Sequence, residues 1–354
     1  MKTAYLKFKD CKTNDMTNEN FQKVGNNTGN IVFDYSLMTT IKCTPLELEE
    51  LERQADDFDN LVVRDFIWIK ENMDMGYFRE IMKFFKNKPI IPISAGIQAI
   101  TYKSDFKLHE NTVRILKEIA EKAEIAVRGE YTAEIFNKYG IRNIRIIGCP
   151  SLYLGGNYRR KVIKDEKVDW KSAVVLANYK TLAKELDNDL DHKVLKYLMD
   201  HSSYFVEQTK CYFPQEMRES VFKSFMQYYV KNRMIYFKFR DWYKFCQGKA
   251  FSIGARFHGN IVPVLAGVPS LFLIFDSRTK ELTDFFKLPT LQLEKFDTEK
   301  SLEYYYELAD YSEFNKIYGD RLDNFIDFCL KNNLELNSGM SQFFYRKLEK
   351  LRDL

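Results

Sequence analysis

The chain has 354 residues, which is more than one compact core usually holds, so we expect two domains. Apolar residues make up 45% and aromatic residues 15% of it, which excludes a disordered chain. The 54 basic and 50 acidic residues leave a net charge of +4, so no overall field favours a nucleic acid or an anionic membrane as partner. We therefore expect no nucleic-acid partner, and any basic site must be local.

The cysteines and the apolar runs indicate the cellular compartment of the protein. Six cysteines are widely spaced along the chain, which argues against zinc-binding pairs and a dense disulfide scaffold and favours a reducing compartment. The N-terminus has no apolar stretch of signal-peptide length. The longest uncharged run, 257–275, is interrupted by Gly267 and two prolines, so it predicts a buried helix and strand rather than a membrane span. We therefore expect a cytoplasmic protein.

The first half alternates short apolar runs with helical patterns, which is typical of an α/β chain with buried parallel strands. A capping pattern at 44–47 predicts a helix that begins at Pro45 and ends near Arg53. A second helix is predicted at 131–139, ending at Gly140, which places Arg128 in a strand-to-helix turn. The predicted strands are 4–8, 60–63, 89–93, 125–128 and 144–147.

The alternation restarts after residues 155–170, where paired glycines and mixed charge predict a domain boundary. The predicted elements beyond it are strands 173–177, 204–208 and 234–237 and helices 192–199 and 217–229. From Ser301 onward the pattern is polar and aromatic helix. We therefore predict a Rossmann-like domain over 1–158, a second over 159–300, and C-terminal helices over 301–354 that pack back on both.

The segment 251–278 predicts one βαβ unit. Its strands would be 251–253 and 271–275, and its helix would begin with Asn260 as N-cap. The turn after the first strand contains Arg256 and His258. Because open parallel sheets bind ligands at the carboxyl ends of their strands, we expect a site at this turn.

Arg256 and His258 are two residues apart, between Gly254 and Gly259, and would point to the same side of an extended turn. A cation and a titratable imidazole beside a helix N-terminus suit a small phosphorylated or carboxylated ligand. A lone histidine in a turn is otherwise often a capping or packing residue. The glycine spacing resembles the start of a P-loop, but Lys and Ser/Thr do not follow, and no GxGxxG occurs. Nucleoside triphosphate and NAD sites are therefore disfavoured.

Three blocks of the sequence together resemble the polysaccharide pyruvyl transferase family. The stretch 256–289, which reads R-F-H-G-N-I…A-G-V-P…D-S-R-T-K-E-L…F-F…L-P, resembles its C-terminal signature of R-x-H, an apolar helix and G-x-P. The stretch 126–151, with A-V-R-G-E and later I-G-C-P-S, resembles its V-R-[DE]…G…G-x-P-[SD] segment. The glycine-rich run G-N-N-T-G-N at 25–30 stands at the place of the N-terminal loop of the family.

The resemblance implies a two-domain α/β enzyme of the GT-B type, with a substrate cleft between two Rossmann-like halves, the first (1–158) on the acceptor side and the second (159–300) on the donor side. It implies transfer of pyruvate from phosphoenolpyruvate to a saccharide of a bacterial surface polysaccharide, forming a pyruvate ketal. The donor carries a carboxylate and a phosphate, and its methylene carbon must be protonated before the central carbon becomes electrophilic. A lipid-linked oligosaccharide acceptor would bring the enzyme to the inner face of the membrane, with at most peripheral contact.

Site residues follow from the resemblance. His258 would be the catalytic acid, and the planar forks of Arg256 and Arg128 would grip the anionic groups of the donor. The predicted donor-binding residues are Arg128, Arg256, Asn260 and Arg278. The predicted acceptor-binding residues are Asn27, Thr28, Asn30, Asp276 and Glu281. The local alternative is that Arg278 pairs with Asp276 across a turn or with Glu281 along a helix.

Two other functions stay open at this point: a GT-B glycosyltransferase that uses a nucleotide sugar, and a non-catalytic glycan-binding relative. No cluster of His, Cys and Asp with ligand spacing predicts a metal site, and no cofactor is expected besides the donor substrate. A divalent ion bound together with the donor stays open, as does the oligomeric state.

Overall fold

The computed structural model describes residues 1–179, 188–209 and 219–337. Two parallel α/β units follow one another along the chain, and the connection 157–174 between them contains the predicted boundary at 158/159. The first residues of the predicted helix 217–229 and the end of the predicted C-terminal segment 301–354 lie outside the described residues.

The first unit alternates strands and helices. Its strands are β1 Thr3–Leu6, β2 Thr44–Leu46, β3 Asn60–Val63, β4 Ile90–Pro92, β5 Ile125–Val127 and β6 Ile144–Ile146. Its helices are α1 Asn18–Lys23, α2 Gly29–Thr40, α3 Leu48–Gln54, α4 Phe78–Phe84, α5 Glu110–Ala120 and α6 Glu130–Lys138. The strands β2-β1-β3-β4 form a parallel sheet, which a bridge between Ala95 and Val127 joins to the parallel pair β5-β6. The order reverses between β1 and β3.

The second unit repeats the plan. Its strands are β7 Val175–Asn178, β8 Tyr204–Glu207, β9 Arg233–Ile235, β10 Phe251–Gly254, β11 Ser270–Ile274 and β12 Thr290–Gln292. Its helices are α7 Asn188–His201, α8 Glu219–Asn232, α9 Phe239–Cys246, α10 Phe257–Leu265 and α11 Ser277–Phe286, and the chain continues with α12 Leu302–Leu308 and α13 Ser312–Lys331. All neighbours in the order β12-β11-β10-β7-β8-β9 are parallel, and the order reverses between β10 and β7. A ligand crevice is therefore expected at the carboxyl ends of these two strands.

Helix α13 returns to the first unit. Asn324 donates from its side-chain amide to the carbonyl of Ile146 at 2.7 Å, and Lys331 pairs with Glu124 at 2.9 Å. The same helix also contacts the second unit, where Nε of Arg321 donates to the carbonyl of Phe285 at 3.1 Å. Two Rossmann-like α/β units with a C-terminal helical segment are the fold class that the sequence predicts. None of the helices in the described ranges has the length and apolar character needed to cross a bilayer.

Two predicted helix starts are wrong. Residues 44–46 form an edge strand parallel to β1, and the capping box belongs to Glu47 and Glu50 at the start of α3. Pro45 is tolerated there because an edge strand need not use every N–H group. Helix α10 begins at Phe257 with Arg256 as N-cap, four residues earlier than the predicted N-cap Asn260, whose side chain is instead drawn into the protein interior.

Candidate active site

The turn after β10 is held by the neighbouring strand β7. A Cβ atom built on Gly254 would lie 1.7 Å from the carbonyl oxygen of Asn178, so only glycine allows this approach of the two backbones. The same carbonyl accepts a hydrogen bond from the N–H of Ala255 at 3.1 Å, and Oδ1 of Asn178 accepts one from the N–H of Arg256 at 2.8 Å. The turn that carries Arg256 therefore lies at the switch point of the second sheet.

His258 lies where the two units meet. Its Nε2 is 3.0 Å from Oγ of Ser151 and 3.7 Å from Sγ of Cys149, both in the segment after β6. Its Nδ1 faces the first turn of α2, because a Cβ atom on Gly29 would be only 2.8 Å from it. The ring is thus positioned by the first unit, although its backbone belongs to the second.

The charge of His258 is set by its surroundings. Burial, followed by the positive charges of Arg128 and Arg256, lowers the pKa of His258 to about 3. The imidazole is therefore neutral near pH 7 in this structure. An anion bound between the two guanidinium groups would offset their charge and raise the pKa of the histidine.

Arg128 is the second cation, and it lies between β5 and α6 as the sequence predicts. The residue is 6% exposed, and its Nε donates to the carbonyl and to the hydroxyl of Ser94 at 3.1 and 3.2 Å. Burial lowers the pKa of Arg128 to about 10, so the guanidinium stays protonated. Within the described ranges it makes no ion pair with a carboxylate, so its charge is available to an anion.

Glu207 is a buried carboxylate beside Arg256, at the end of β8. Burial raises the pKa of Glu207, and the Arg256 guanidinium partly offsets this effect. The carboxylate accepts hydrogen bonds from the N–H groups of Gln208 and Thr209 at 2.9 and 3.1 Å. The positive charge of Arg256 therefore acts on both the Glu207 carboxylate and the His258 imidazole.

Two buried polar atoms near the first turn of α2 have no hydrogen-bond partner in the described part of the chain. They are Nε2 of Gln208, a residue 2% exposed, and Oγ1 of Thr28, which is fully buried. Oε1 of Gln208 also faces Gly29, at 3.1 Å from a built Cβ atom, and the N–H of Thr28 donates to the carbonyl of Gln208 at 2.8 Å. The charges of Arg128 and Arg256 and the unpartnered amide of Gln208 therefore make this place a candidate anion-binding point beside the imidazole.

Residues 55–277, almost two thirds of the chain, match the polysaccharide pyruvyl transferase family. The chain belongs to that family. The matched range contains Arg128, Arg256 and His258, and membership makes the protein a transferase. A comparison with curated proteins finds no match.

Solved structures resemble this family member weakly over most of its length. MnaA of S. aureus with UDP is 11% identical, covers 93% of this chain and 97% of that chain, and has a TM-score of 0.44. UDP-GlcNAc 2-epimerase from Neisseria meningitidis bound to UDP-GlcNAc is 13% identical, with coverage of 94% and 100% and a TM-score of 0.41. A Klebsiella pneumoniae protein without a characterised function is 12% identical, with coverage of 80% and 87% and a TM-score of 0.40. All three TM-scores are below 0.5, so the sequence match assigns the family.

Asn260 was predicted to bind the donor of the transferase, and the structure shows that this prediction is wrong. Its Oδ1 accepts hydrogen bonds from Asn178 and Ser252, and its Nδ2 donates to the carbonyls of Gly254 and Leu271. The side chain is fully buried and its hydrogen-bonding capacity is spent on the protein. Asn260 therefore braces the turn and does not face a donor.

Asp276 and Glu281 were predicted to bind the acceptor, and the structure shows that both carboxylates are bonded within the protein instead. Asp276 caps α11 through the N–H of Thr279 at 2.8 Å and pairs with Arg278 at 3.0 Å, which is the local alternative. Glu281 is buried and accepts hydrogen bonds from the N–H and the hydroxyl of Thr132 in α6, both at 2.8 Å. These carboxylates fasten α11 and the joint between the units.

The predicted residues of the glycine-rich loop divide between two places. Asn27 and Asn30 line a cavity of about 1330 Å³ over the first sheet, and Arg278 reaches the same cavity. Thr28 does not line it, because its side chain is fully buried, and this contradicts its predicted place among the acceptor-binding residues.

Sequence reasoning missed several residues that build the site. They are Ser94, Ser151, Asn178, Glu207 and Gln208. Each stands at or shortly after the carboxyl end of a strand, which is the signal that could have found them. Within the described ranges, no group of three or more His, Cys, Asp or Glu side chains is placed to hold a metal ion.

Proposed function

We propose that the protein transfers pyruvate from phosphoenolpyruvate to hydroxyl groups of a saccharide of a bacterial surface polysaccharide, giving a pyruvate ketal and phosphate. The observation that carries this proposal is that the charges of Arg128, from the first unit, and Arg256, from the second, both act on His258, which contacts Ser151 of the first unit. Two cations that depress the pKa of one histidine favour a ligand with two anionic groups, and phosphoenolpyruvate has a carboxylate and a phosphate.

Binding of the donor also allows His258 to take from solvent the proton that the reaction needs. Its negative charges offset the two guanidinium groups and raise the pKa of His258, so the imidazole takes up a proton only when the donor is bound. The imidazolium then protonates the methylene carbon, and a saccharide hydroxyl adds to the central carbon and returns its proton to the imidazole. A second hydroxyl displaces the phosphate, which leaves with the proton of that hydroxyl.

The hydrogen-bond donors around the ring complete the proposed donor site. Ser151 holds Nε2 of His258, while Gln208 Nε2 and Thr28 Oγ1 supply neutral donors for phosphate or carboxylate oxygens. Preformed donors of this kind stabilise charge that develops in the transition state.

The test uses His258→Ala and Arg256→Ala with phosphoenolpyruvate and saccharide acceptors, scored by phosphate release and by the mass gain of a pyruvate ketal. We expect each variant to lose about 100-fold or more of the transfer rate while it keeps the circular dichroism spectrum of the wild type. His201→Ala is the matched control, because His201 is exposed at the end of α7.

Two results would contradict the proposal. Release of UDP or GDP from nucleotide sugars, without reaction of phosphoenolpyruvate, would make the protein a glycosyltransferase. Thermal stabilisation by glycans but not by phosphoenolpyruvate would indicate a non-catalytic relative.

A further inference from the structure

A wide cavity of about 1330 Å³ lies over the first sheet, apart from the anion-binding point. The strand order of that sheet reverses between β1 and β3, and the residues that follow these two strands, including Phe8 and Asp65, line the cavity. Crevices at such reversals are where open parallel sheets bind ligands. The volume exceeds the roughly 300–1,000 Å³ of ordinary small-molecule pockets, so it suits an extended ligand.

Large apolar side chains are exposed within this cavity. Trp68 is 38% exposed, Tyr77 is 49% exposed, and Leu48 at the start of α3 is exposed as well. Aromatic faces pack well against the C–H faces of pyranose rings, because their apolar area is large and rigid. A concentration of such side chains in one cavity marks a binding surface rather than scattered exposure.

The carboxylate of Asp65 stands in the cavity with one oxygen that protein does not satisfy. Its Oδ2 is buried and has no hydrogen-bond partner among the described residues. The neighbouring Arg64 is engaged elsewhere, since it lies 3.3 Å from Asp34 and donates to the carbonyl of Leu6 at 3.2 Å. A buried carboxylate oxygen without a donor is costly, and a ligand hydroxyl would supply that donor.

The charges around the cavity favour a neutral ligand. Its lining contains six cationic and six anionic side chains, and several of them pair with each other. Lys23 pairs with Glu19, and Lys9 with both Glu47 and Glu49. Lys7 pairs with Asp10, which lies outside the lining. A balanced lining with one unsatisfied acceptor suits a polyhydroxyl compound better than an anion.

Two residues, Asn27 and Arg278, connect the cavity with the anion-binding point. Asn27 lines the cavity, and its Oδ1 is 3.1 Å from the place of a Cβ atom on Gly29, which in turn faces Nδ1 of His258. Arg278 also lines the cavity, and its positive charge contributes to lowering the pKa of Arg128. A ligand in the cavity would therefore lie next to the anion-binding point.

We propose that this cavity binds the acceptor saccharide, with a hydroxyl group donating to the carboxylate of Asp65 and a pyranose ring packed against Trp68 and Tyr77. The inference rests on the proposed function, for which it supplies the acceptor site. Asp65 here binds and positions the saccharide, and the proton transfers remain with His258.

The test measures saccharide binding without phosphoenolpyruvate, by saturation-transfer difference NMR on the full chain. The probes are the methyl glycosides of glucose, galactose, mannose, N-acetylglucosamine and N-acetylmannosamine. We expect at least one probe to bind the wild type, and Asp65→Ala and Trp68→Ala each to raise its dissociation constant by about ten-fold or more. Asp57→Ala and Tyr304→Ala are matched controls, because both residues are exposed outside the cavity.

A second readout distinguishes a ligand-binding role from a structural one. Asp65→Ala should raise the melting temperature, because it removes a buried and unsatisfied oxygen, whereas loss of a structural residue would lower it. Unchanged binding in both variants, or no binding of any probe to the wild type, would overturn the acceptor cavity. Stabilisation by phosphoenolpyruvate is measured separately: its absence in a wild type whose saccharide binding depends on Asp65 and Trp68 would refute the donor and leave the cavity standing.

Discussion

His258 carries the proposed chemistry because its neighbours control its charge. In an exposed turn, an imidazole would titrate near pH 6.5. Here burial and the guanidinium groups of Arg128 and Arg256 lower the pKa of His258 to about 3, while Ser151 orients the ring. The imidazole is thus neutral near pH 7 until negative charge is bound beside it. Because the same two arginines would hold the donor, proton uptake by the imidazole would depend on donor binding.

We expect His258 to show no titration between about pH 5 and 8 in the ligand-free protein, as followed by NMR of its ring protons. Phosphoenolpyruvate should bring the titration into that range, because its charge offsets both arginines. Since the folded pKa lies below the unfolded value, this residue contributes stability above about pH 6.5 that is lost as the pH falls toward 3. His258→Gln should therefore lose less stability than the wild type between pH 7 and pH 5.

His201→Gln serves as the control for that comparison, because His201 is exposed and distant in the fold from the joint. An ordinary titration of His258 near pH 6.5 in the free protein would show that the two arginines do not act on the ring.

At the scale of elements, the unit from β10 to α10 determines where Arg256 and His258 emerge. Strand β7 approaches this turn so closely that Asn178 occupies the space beside both Gly254 and Gly259. Hydrogen bonds from the turn to Asn178 then hold the N-cap of α10. The glycines around Arg256 and His258 are needed for strand contact, which differs from the phosphate-binding use that a P-loop makes of glycine.

We expect Gly254→Ala to lower the free energy of unfolding by about 3 kcal/mol or more, because the added methyl group meets backbone of β7 that cannot move independently. Gly319→Ala, in the interior of α13 with open space around it, should instead raise stability by about 0.5–1 kcal/mol. Urea denaturation monitored by circular dichroism measures both. Equal midpoints for the two variants would contradict the close approach of β7 and β10.

At the scale of the whole molecule, polar contacts join the two units directly around the site. Ser277 donates to the carbonyl of Ile97 and accepts from the N–H of Ala99, and Glu281 bridges to Thr132. Burial raises the pKa of Glu281 to about 7, although its hydrogen bonds from Thr132 oppose this shift. The joint therefore contains a carboxylate that loses its proton near neutral pH.

We expect the wild type to lose stability between pH 5 and pH 8 at this joint, most of it below pH 7. The folded pKa of Glu281 is above the unfolded value, so its contribution is fully present below about pH 4.5 and is lost as the pH rises through about 7. Glu281→Gln keeps a hydrogen-bonding side chain without the charge, and should be more stable at pH 8 by a few kcal/mol at most. Melting temperatures at the two pH values measure the effect, with exposed Glu299→Gln as control. A wild-type pH slope in Glu281→Gln would refute the assignment.

The local pattern of the sequence was sufficient to predict most of the strands and helices. The uninterrupted apolar run of β11, the glycine after α6 and the strand-to-helix turn at Arg128 are short-range features, and the structure has all three. The pair Arg256 and His258 could likewise be placed at a sheet edge, because strand ends and helix starts are written in neighbouring residues.

Only the tertiary structure decided which side chains meet. Residues 44–46 became a strand because β1 offered an edge, and Asn260 turned inward because Asn178 and Ser252 offered partners. Ser151 reaches His258 from a distant part of the chain, and Gln208 and His258 both face Gly29, which no local pattern reports. Sequence periodicity reflects dihedral preferences and burial over a few residues, whereas the contacts of a site depend on how two sheets and their connecting loops come together in space.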